Sequence, residues 1–328
     1  MKRFWLLLPA PLLLGFAARQ NPMLPVDDLP RPLERVALLG AEELAEAWSA
    51  SKQQVALGRR LFFDPLLSED QTIACASCHQ PAFAFADNKR FSIGLGGQAT
   101  KRNSPSLVNR ALSTQVFWDG RAASIEEQVL LPIQDGTEMG SDLELILQRL
   151  NADAPYTEEF KLAYGRSADN ESLAGALAAF VRAISYGDSP VDRFRNGQTA
   201  ALSTEERAGM WVFEGRGGCW KCHTGPAFSD EEFHNTGVGS LEGVPEAGLS
   251  GFTKDPQDLG KFRTPGLRLL TKSAPYMHDG SLGTLEEVVQ FYRGGGKANS
   301  HRSARLQSIR ITDTDATALV AFLRALSR

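Results

Sequence analysis

The chain has 328 residues, 42% hydrophobic and 23% charged, an ordinary globular balance with enough length for two domain-sized cores. A formal net charge of -4 with no long basic run argues against nucleic acid as a partner, because phosphate binding needs clustered Lys and Arg. Charge alone does not discriminate among small substrates.

At the start, Lys2 and Arg3 precede an apolar run from Phe4 to Ala17, with Gly15 and Ala17 as small residues before a cleavage point. Residues 1–17 read as a secretory signal. The competing reading, an uncleaved anchor, would need roughly 20 apolar residues, and this run is shorter and carries Pro9 and Pro11. No later segment is long enough for a membrane span. A Pro-rich strap (Pro22, Pro25, Pro30, Pro32) leads to an expected helix from Glu42 to Phe63, ended by Asp64-Pro65.

The first cysteine pair then falls in an expected loop, and glycines at 94, 96 and 97 with Asn103-Ser104-Pro105 prolong the irregular stretch. A Ser124/Glu127 capping box opens a short helix to Leu131, and Ser172 leads into a helix from Leu173 to Ile184. Gly187, Asp188 and Pro190 mark a domain boundary, giving expected domains at 18–188 and 189–328.

In the second half a Ser203/Glu206 box opens a helix to about Phe213, before Gly217-Gly218 and the second cysteine pair. A Gly-rich loop spans Gly237 to Gly251. A Thr284/Glu287 box opens a helix to Arg293, and an amphipathic helix runs from Ala316 to Leu326. The halves share an order of helix then cysteine pair, with no strong internal repeat beyond it. Strand signals are few, so the expected fold is mainly α, in two domains with long irregular loops.

All four cysteines fall in one pentad, Cys75-Ala76-Ser77-Cys78-His79 and Cys219-Trp220-Lys221-Cys222-His223. Cys-x-x-Cys-His is the c-type haem attachment signature: each thiol adds to a haem vinyl group and the adjacent His becomes the proximal iron ligand. A redox dithiol does not require the His, a four-Cys zinc site would need two distant pairs to meet, and disulfides would not explain the doubled pentad. Two covalent haems fit, and their attachment outside the bacterial cytoplasm agrees with export to the periplasm.

An iron ligated on both faces transfers electrons, whereas one with an open face activates small molecules. The remaining histidines, His234, His278 and His301, and methionines Met23, Met139, Met210 and Met277 cannot be assigned by spacing. Leu285, Val288, Val289 and Tyr292 share one helical face, so Tyr292 points inward, either as a core tyrosine or as a ligand. Gln128 is turned inward in the same way by Ile125, Val129 and Pro132, and its amide needs a partner. Glu138, taken alone, is a loop carboxylate.

With both pentads placed, the sequence resembles the bacterial dihaem cytochrome c peroxidase and MauG family over nearly all of the mature chain. The carrying segments are Phe117-Trp118-Asp119-Gly120-Arg121, Pro132 to Gly140, Arg263 to Arg268 and Ala274 to Gly280. The resemblance implies a peroxide site at the N-terminal haem on His79 and electron transfer at the C-terminal haem on His223. It implies Trp118 between the haems, Glu138 as the distal acid, and Gln128 and Pro132 as its pocket neighbours. It also implies a calcium site from Asn103 and the carbonyls of Ser273 and Pro275.

Two departures carry information. Classical members place a distal His after Ser-Ile-Gly, where this chain has Leu95, so the first haem is expected to be open without prior activation. They also place a Met fourteen residues after the His of the Tyr-x-His-x-Gly segment, where this chain, like MauG-type members, has Tyr292. A phenolate favours ferric iron and a low potential. Against the specific MauG task, the Trp that those enzymes carry two residues before the second haem's first Cys is Gly217 here.

The expected function is reduction of hydrogen peroxide: Glu138 shifts a proton between the peroxide oxygens, Gln128 orients it, and electrons arrive through Trp118. The donor would be a cytochrome, a cupredoxin or a protein substrate. The rivals are MauG-like oxidation of a partner protein and a non-enzymatic dihaem electron carrier. Classical relatives are often dimers, so a homodimer is an expected state.

Overall fold

The computed structural model describes residues 50–328; the expected signal, the strap and the start of the expected Glu42–Phe63 helix lie outside them. Within the described residues that helix begins only at Lys52 and ends at Phe63 (α1). Ser51 and Gln54 form a capping box, with the Gln54 side-chain carbonyl oxygen accepting from the Ser51 N–H at 2.8 Å, so this helix has its own start at Lys52.

The first cysteine pair lies on a single helical turn, Cys75–Cys78 (α2), rather than in a loop, because the Ser77 hydroxyl accepts from the Ala74 N–H and closes the turn. Next comes Ile125–Gln134 (α3), capped by Ser124 as expected but continuing through Pro132. Leu143–Ala152 (α4) and Ala154–Tyr164 (α5) were not anticipated; Asp153 ends one and caps the other, a helix-turn-helix signal compressed into one residue.

Asn170–Ala183 (α6) starts ahead of the expected Leu173 because Asp169 is the cap and Ser172 its reciprocal partner. Pro190–Arg195 (α7) and Thr204–Glu214 (α8) follow, then Ser250–Thr253 (α9), Leu285–Arg293 (α10) and Asp313–Ala325 (α11), the last capped by Thr312 rather than opening at Ala316. Two-residue strands, Phe233–His234 (β1) and Phe262–Arg263 (β2), pair antiparallel. The mainly helical expectation holds.

Apolar side chains collect in two clusters. One runs from Leu57 to Ile184 and includes Leu61, Ile133, Phe160 and Leu173; the other runs from Val191 to Leu326 and includes Phe213, Phe228 and Phe322. In the first, α1 crosses α6 so closely that a Cβ on Gly58 would overlap the Ala176 carbonyl oxygen. In the second, α8 crosses α11 in the same way, Gly209 against Ala318.

This equivalence corrects the expectation of no strong internal repeat. Left-handed backbone recurs at constant spacing in the two halves, at Asn109 and Leu269, Phe117 and Met277, and Gly120 and Gly280. A bridge from Val116 to Ala122 matches one from Tyr276 to Leu282, and the Ser124 cap matches Thr284. The repeat lies in backbone conformation while the side chains diverge, which hides it in the sequence. At the same spacing Pro132 corresponds to Tyr292, and Trp118 to His278.

Candidate active site

Helices α1, α2, α3 and α6 and the loops between them enclose a cavity of about 480 Å³, within the usual size of a cofactor site. Cys75, Cys78 and His79 line it, as do Phe62, Leu177 and Val181 from the crossing helices. Burial pushes the Cys75 thiol up to about 12, unlike the lowered value of a redox dithiol, and all four cysteines are free of disulfides. The His79 Nδ1–H donates to the Phe85 carbonyl at 2.8 Å, which leaves Nε2 to ligate a metal. Buried nitrogens of Arg102 and Arg110 that line the cavity have no hydrogen-bond partner among the described residues. An apolar pocket with paired thiols, one oriented imidazole and cationic groups awaiting an anion fits a c-type haem.

The same cavity is lined by Gln128, Val129, Pro132 and Glu138, so the structure brings the residues singled out as a distal pocket into one space with His79. Glu138 is half-buried, and its carboxyl makes no hydrogen bond among the described residues. Burial raises its pKa above the ordinary glutamate value; the Asp135 charge adds to this and Arg121 opposes it. Its carbonyl accepts from the Leu95 N–H at 2.9 Å, and the Leu95 side chain lies against Gly140 rather than lining the cavity. Among the lining residues, His79 and Met139 carry the only imidazole and thioether.

Trp118 is buried at the meeting of the two halves. Its Nε1–H donates to the Asn103 carbonyl at 2.8 Å, its own carbonyl accepts from the Arg263 N–H, and its ring packs edge-on to His278, 6.4 Å between centroids. His278 in turn stacks on Phe262 at 3.5 Å. Asn103 is buried, its N–H donating to the His278 carbonyl and its Nδ2 to the Lys89 carbonyl at 2.9 Å. Its Oδ1 and the carbonyls of Ser273 and Pro275 accept no hydrogen bond among the described residues, which leaves three oxygens of the kind calcium takes.

In the second half, Cys219 packs against the second core and the His223 Nδ1–H donates to the Phe228 carbonyl at 3.0 Å, repeating the first site. Each cysteine pair thus faces its own core, which removes the four-Cys zinc alternative. Tyr292 lies beside Cys222 and Cys219, and burial raises its phenol above the ordinary value. His234 pairs with Asp230 at 2.9 Å and sits close to Cys222. At Gly217 a Cβ would lie 2.5 Å from the Val212 carbonyl oxygen, so a tryptophan there would require the backbone to shift.

Sequence reasoning missed the cationic lining, Arg102, Arg110 and Arg263. The available signal was an arginine inside the apolar run Leu107 to Leu112.

The fold and the doubled cysteine–histidine site define a dihaem c-type cytochrome. The family model for di-haem cytochrome c peroxidase matches residues 52–200. The chain is 34% identical to cytochrome-c peroxidase IdrP2 of Denitromonas iodatirespirans over 314 residues, 87% of this chain and 84% of that one. It is 35% identical to the methylamine utilization protein MauG of Methylorubrum extorquens, over 84% of this chain and 78% of that one. A crystal structure of a MauG-like protein associated with microbial copper homeostasis superposes with a TM-score of 0.80 at 32% identity, covering 92% of this chain and 95% of that one. The chain belongs to the di-haem cytochrome c peroxidase family: it carries two c-type haems and is a haem peroxidase. No helix among the described residues is long and apolar enough to cross a membrane.

Proposed function

We propose that hydrogen peroxide is reduced in the His79 cavity, with Glu138 as its proton relay, and that residues 18–188 and 189–328 are the peroxidatic and electron-transfer domains of an exported, periplasmic protein. The observation that carries this is a half-buried carboxyl with no hydrogen-bond partner among the described residues, lining the same cavity as the oriented His79. The haem on His79 supplies the iron that binds peroxide, and the haem on His223 supplies the route by which electrons reach it.

Glu138 would move a proton from one peroxide oxygen to the other, so that with two electrons and two protons the products are two waters. The Gln128 amide, which makes no hydrogen bond of its own among the described residues, orients the peroxide or the carboxyl. Pro132 and Val129 keep the pocket narrow and apolar. Trp118, fixed at both its indole N–H and its backbone carbonyl, is the aromatic bridge between the halves.

Tyr292 occupies in the second half the helix position that Pro132, a cavity-lining residue, holds in the first, and this equivalence supports it as the second haem's distal ligand. Burial disfavours the phenolate, so a ferric cation would have to stabilise it. Asn103, Ser273 and Pro275 offer oxygens for calcium.

The crowding at Gly217 favours a diffusible cytochrome or cupredoxin as donor over MauG-like oxidation of a partner protein, because the tryptophan of that route has no place here. Trp211 and Trp220 are half-buried beside the second site and are the tryptophans near it among the described residues. Steady-state peroxide turnover with a reduced c-type cytochrome tests the reading. Turnover lost in Glu138→Gln supports it, and turnover only with a protein substrate that becomes oxidised itself supports the MauG-like alternative.

A further inference from the structure

We infer that Arg110, Arg263 and Glu231 form a buried clamp for one carboxylate, and that its occupant is a propionate of the haem on His79; this rests on the haem reading of that cavity. The side chains of Arg110 and Arg263 are 7% and 2% exposed, and both residues line the cavity. Arg263 Nη1 donates to Glu231 Oε2 at 3.2 Å, while Arg110 Nη2 stands 3.5 Å from Glu231 Oε1 without hydrogen-bond geometry.

Two guanidiniums therefore share one carboxylate, and Arg110 Nε and Nη1 are buried with no acceptor among the described residues. A buried cluster with one uncompensated positive charge and orphaned donors is costly unless an anion completes it. A planar guanidinium fork with free N–H groups matches a carboxylate in geometry as well as charge.

The charge of the whole cavity points the same way. Its lining holds Lys101, Arg102, Arg110, Arg121 and Arg263 against Asp119, Asp135 and Glu138, and the surplus of positive charge equals the two carboxylates that a haem carries. Burial and the neighbouring Arg110 charge push Arg263 down to about 9, against the opposing effect of the shared Glu231 carboxylate. Glu231 holds a left-handed backbone, φ 55°, fixed by its N–H donating to the Ser229 hydroxyl at 3.0 Å.

Arg110 belongs to the first half, while Glu231 and Arg263 belong to the second. The clamp therefore lies on the seam, and it makes the first haem's reduction potential depend on a side chain eight residues beyond the second haem's proximal His223. Positive charge near a haem favours the reduced state, so the cluster fixes the sign of each substitution.

The test is a spectroscopically monitored redox titration of the holoprotein, with haem stoichiometry measured on the same samples. The first-haem couple is assigned as the one absent from Cys75→Ala/Cys78→Ala. Arg110→Met should favour the oxidised first haem about tenfold, a fall of about 59 mV for a one-electron couple, with the second couple unmoved. Arg110→Lys should recover most of the shift, and Glu231→Gln should move the first couple upward.

Loss of the first haem in Arg110→Met but not in Arg110→Lys would also support the clamp. Two haems attached and an unmoved first couple in Arg110→Met would overturn it, as would equal shifts of both couples. A wild-type chain with fewer than two haems would instead fail the haem reading itself.

Discussion

Replacing Glu138 by Gln keeps the size and polarity of the side chain and removes its charge and its ability to exchange a proton. The carboxyl has no hydrogen-bond partner to lose among the described residues, and its backbone contacts with Asp135 and Leu95 do not involve the side chain. The variant should therefore fold and bind both haems. A positioned acid–base group contributes about 10²–10⁴-fold, and turnover should fall by that factor.

The pH profile gives an independent check. The carboxylate form must accept the proton, so activity is lost as pH falls through the Glu138 pKa, which burial and Asp135 hold above the ordinary glutamate value. Asp135→Asn removes the raising charge and should shift the acid limb to lower pH. It keeps the Oδ1 that accepts from the Thr137 N–H at 2.8 Å, so the turn survives. Arg121→Gln removes the opposing charge and should shift the limb upward. The assay is initial rate against peroxide with a reduced cytochrome as donor. Near wild-type turnover by Glu138→Gln, or an acid limb moving upward in Asp135→Asn, would refute the reasoning.

Other substitutions probe the rest of the account. Tyr292→Phe should convert the second haem from low to high spin, and Tyr292→Met should keep it low spin but raise its potential, both read by electron paramagnetic resonance and redox titration. Asp192→Asn breaks the bidentate pair with Arg268, at 2.6 and 2.8 Å and almost wholly buried, and should cost about 3–5 kcal/mol in denaturant unfolding. Gly209→Ala forces α8 away from the Ala318 carbonyl and should cost about 1–3 kcal/mol. Gly136→Ala, which meets nothing within 4 Å, is the control and should leave the melting temperature unchanged.

Capping chemistry made most helices readable. Ser203 and Thr284 sit in the reciprocal boxes expected of them, and Ser124 caps its helix although Glu127 reaches back to the Ala123 N–H instead of closing the box, since a hydroxyl three residues before a Glu is a local signal. Asp153 escaped because one residue both ends a helix and starts the next. The cysteine–histidine pentads announced both haem sites, being fixed by bond lengths between neighbouring residues. Arg110, Arg263 and Glu231 were not legible, because what unites them is the docking of two halves far apart in sequence. The repeat was hidden for a related reason: conserved left-handed turns at Asn109 and Leu269 do not demand the same side chain. Glu138 and Tyr292 gained meaning only from what faces them.

The most direct test of the central claim, an open first haem paired with a tyrosine-ligated second, is the electron paramagnetic resonance spectrum of the ferric holoprotein before and after hydrogen peroxide. One high-spin and one low-spin signal, with the high-spin signal lost on adding peroxide, is the predicted result. Two low-spin signals indifferent to peroxide would contradict it and indicate an electron carrier.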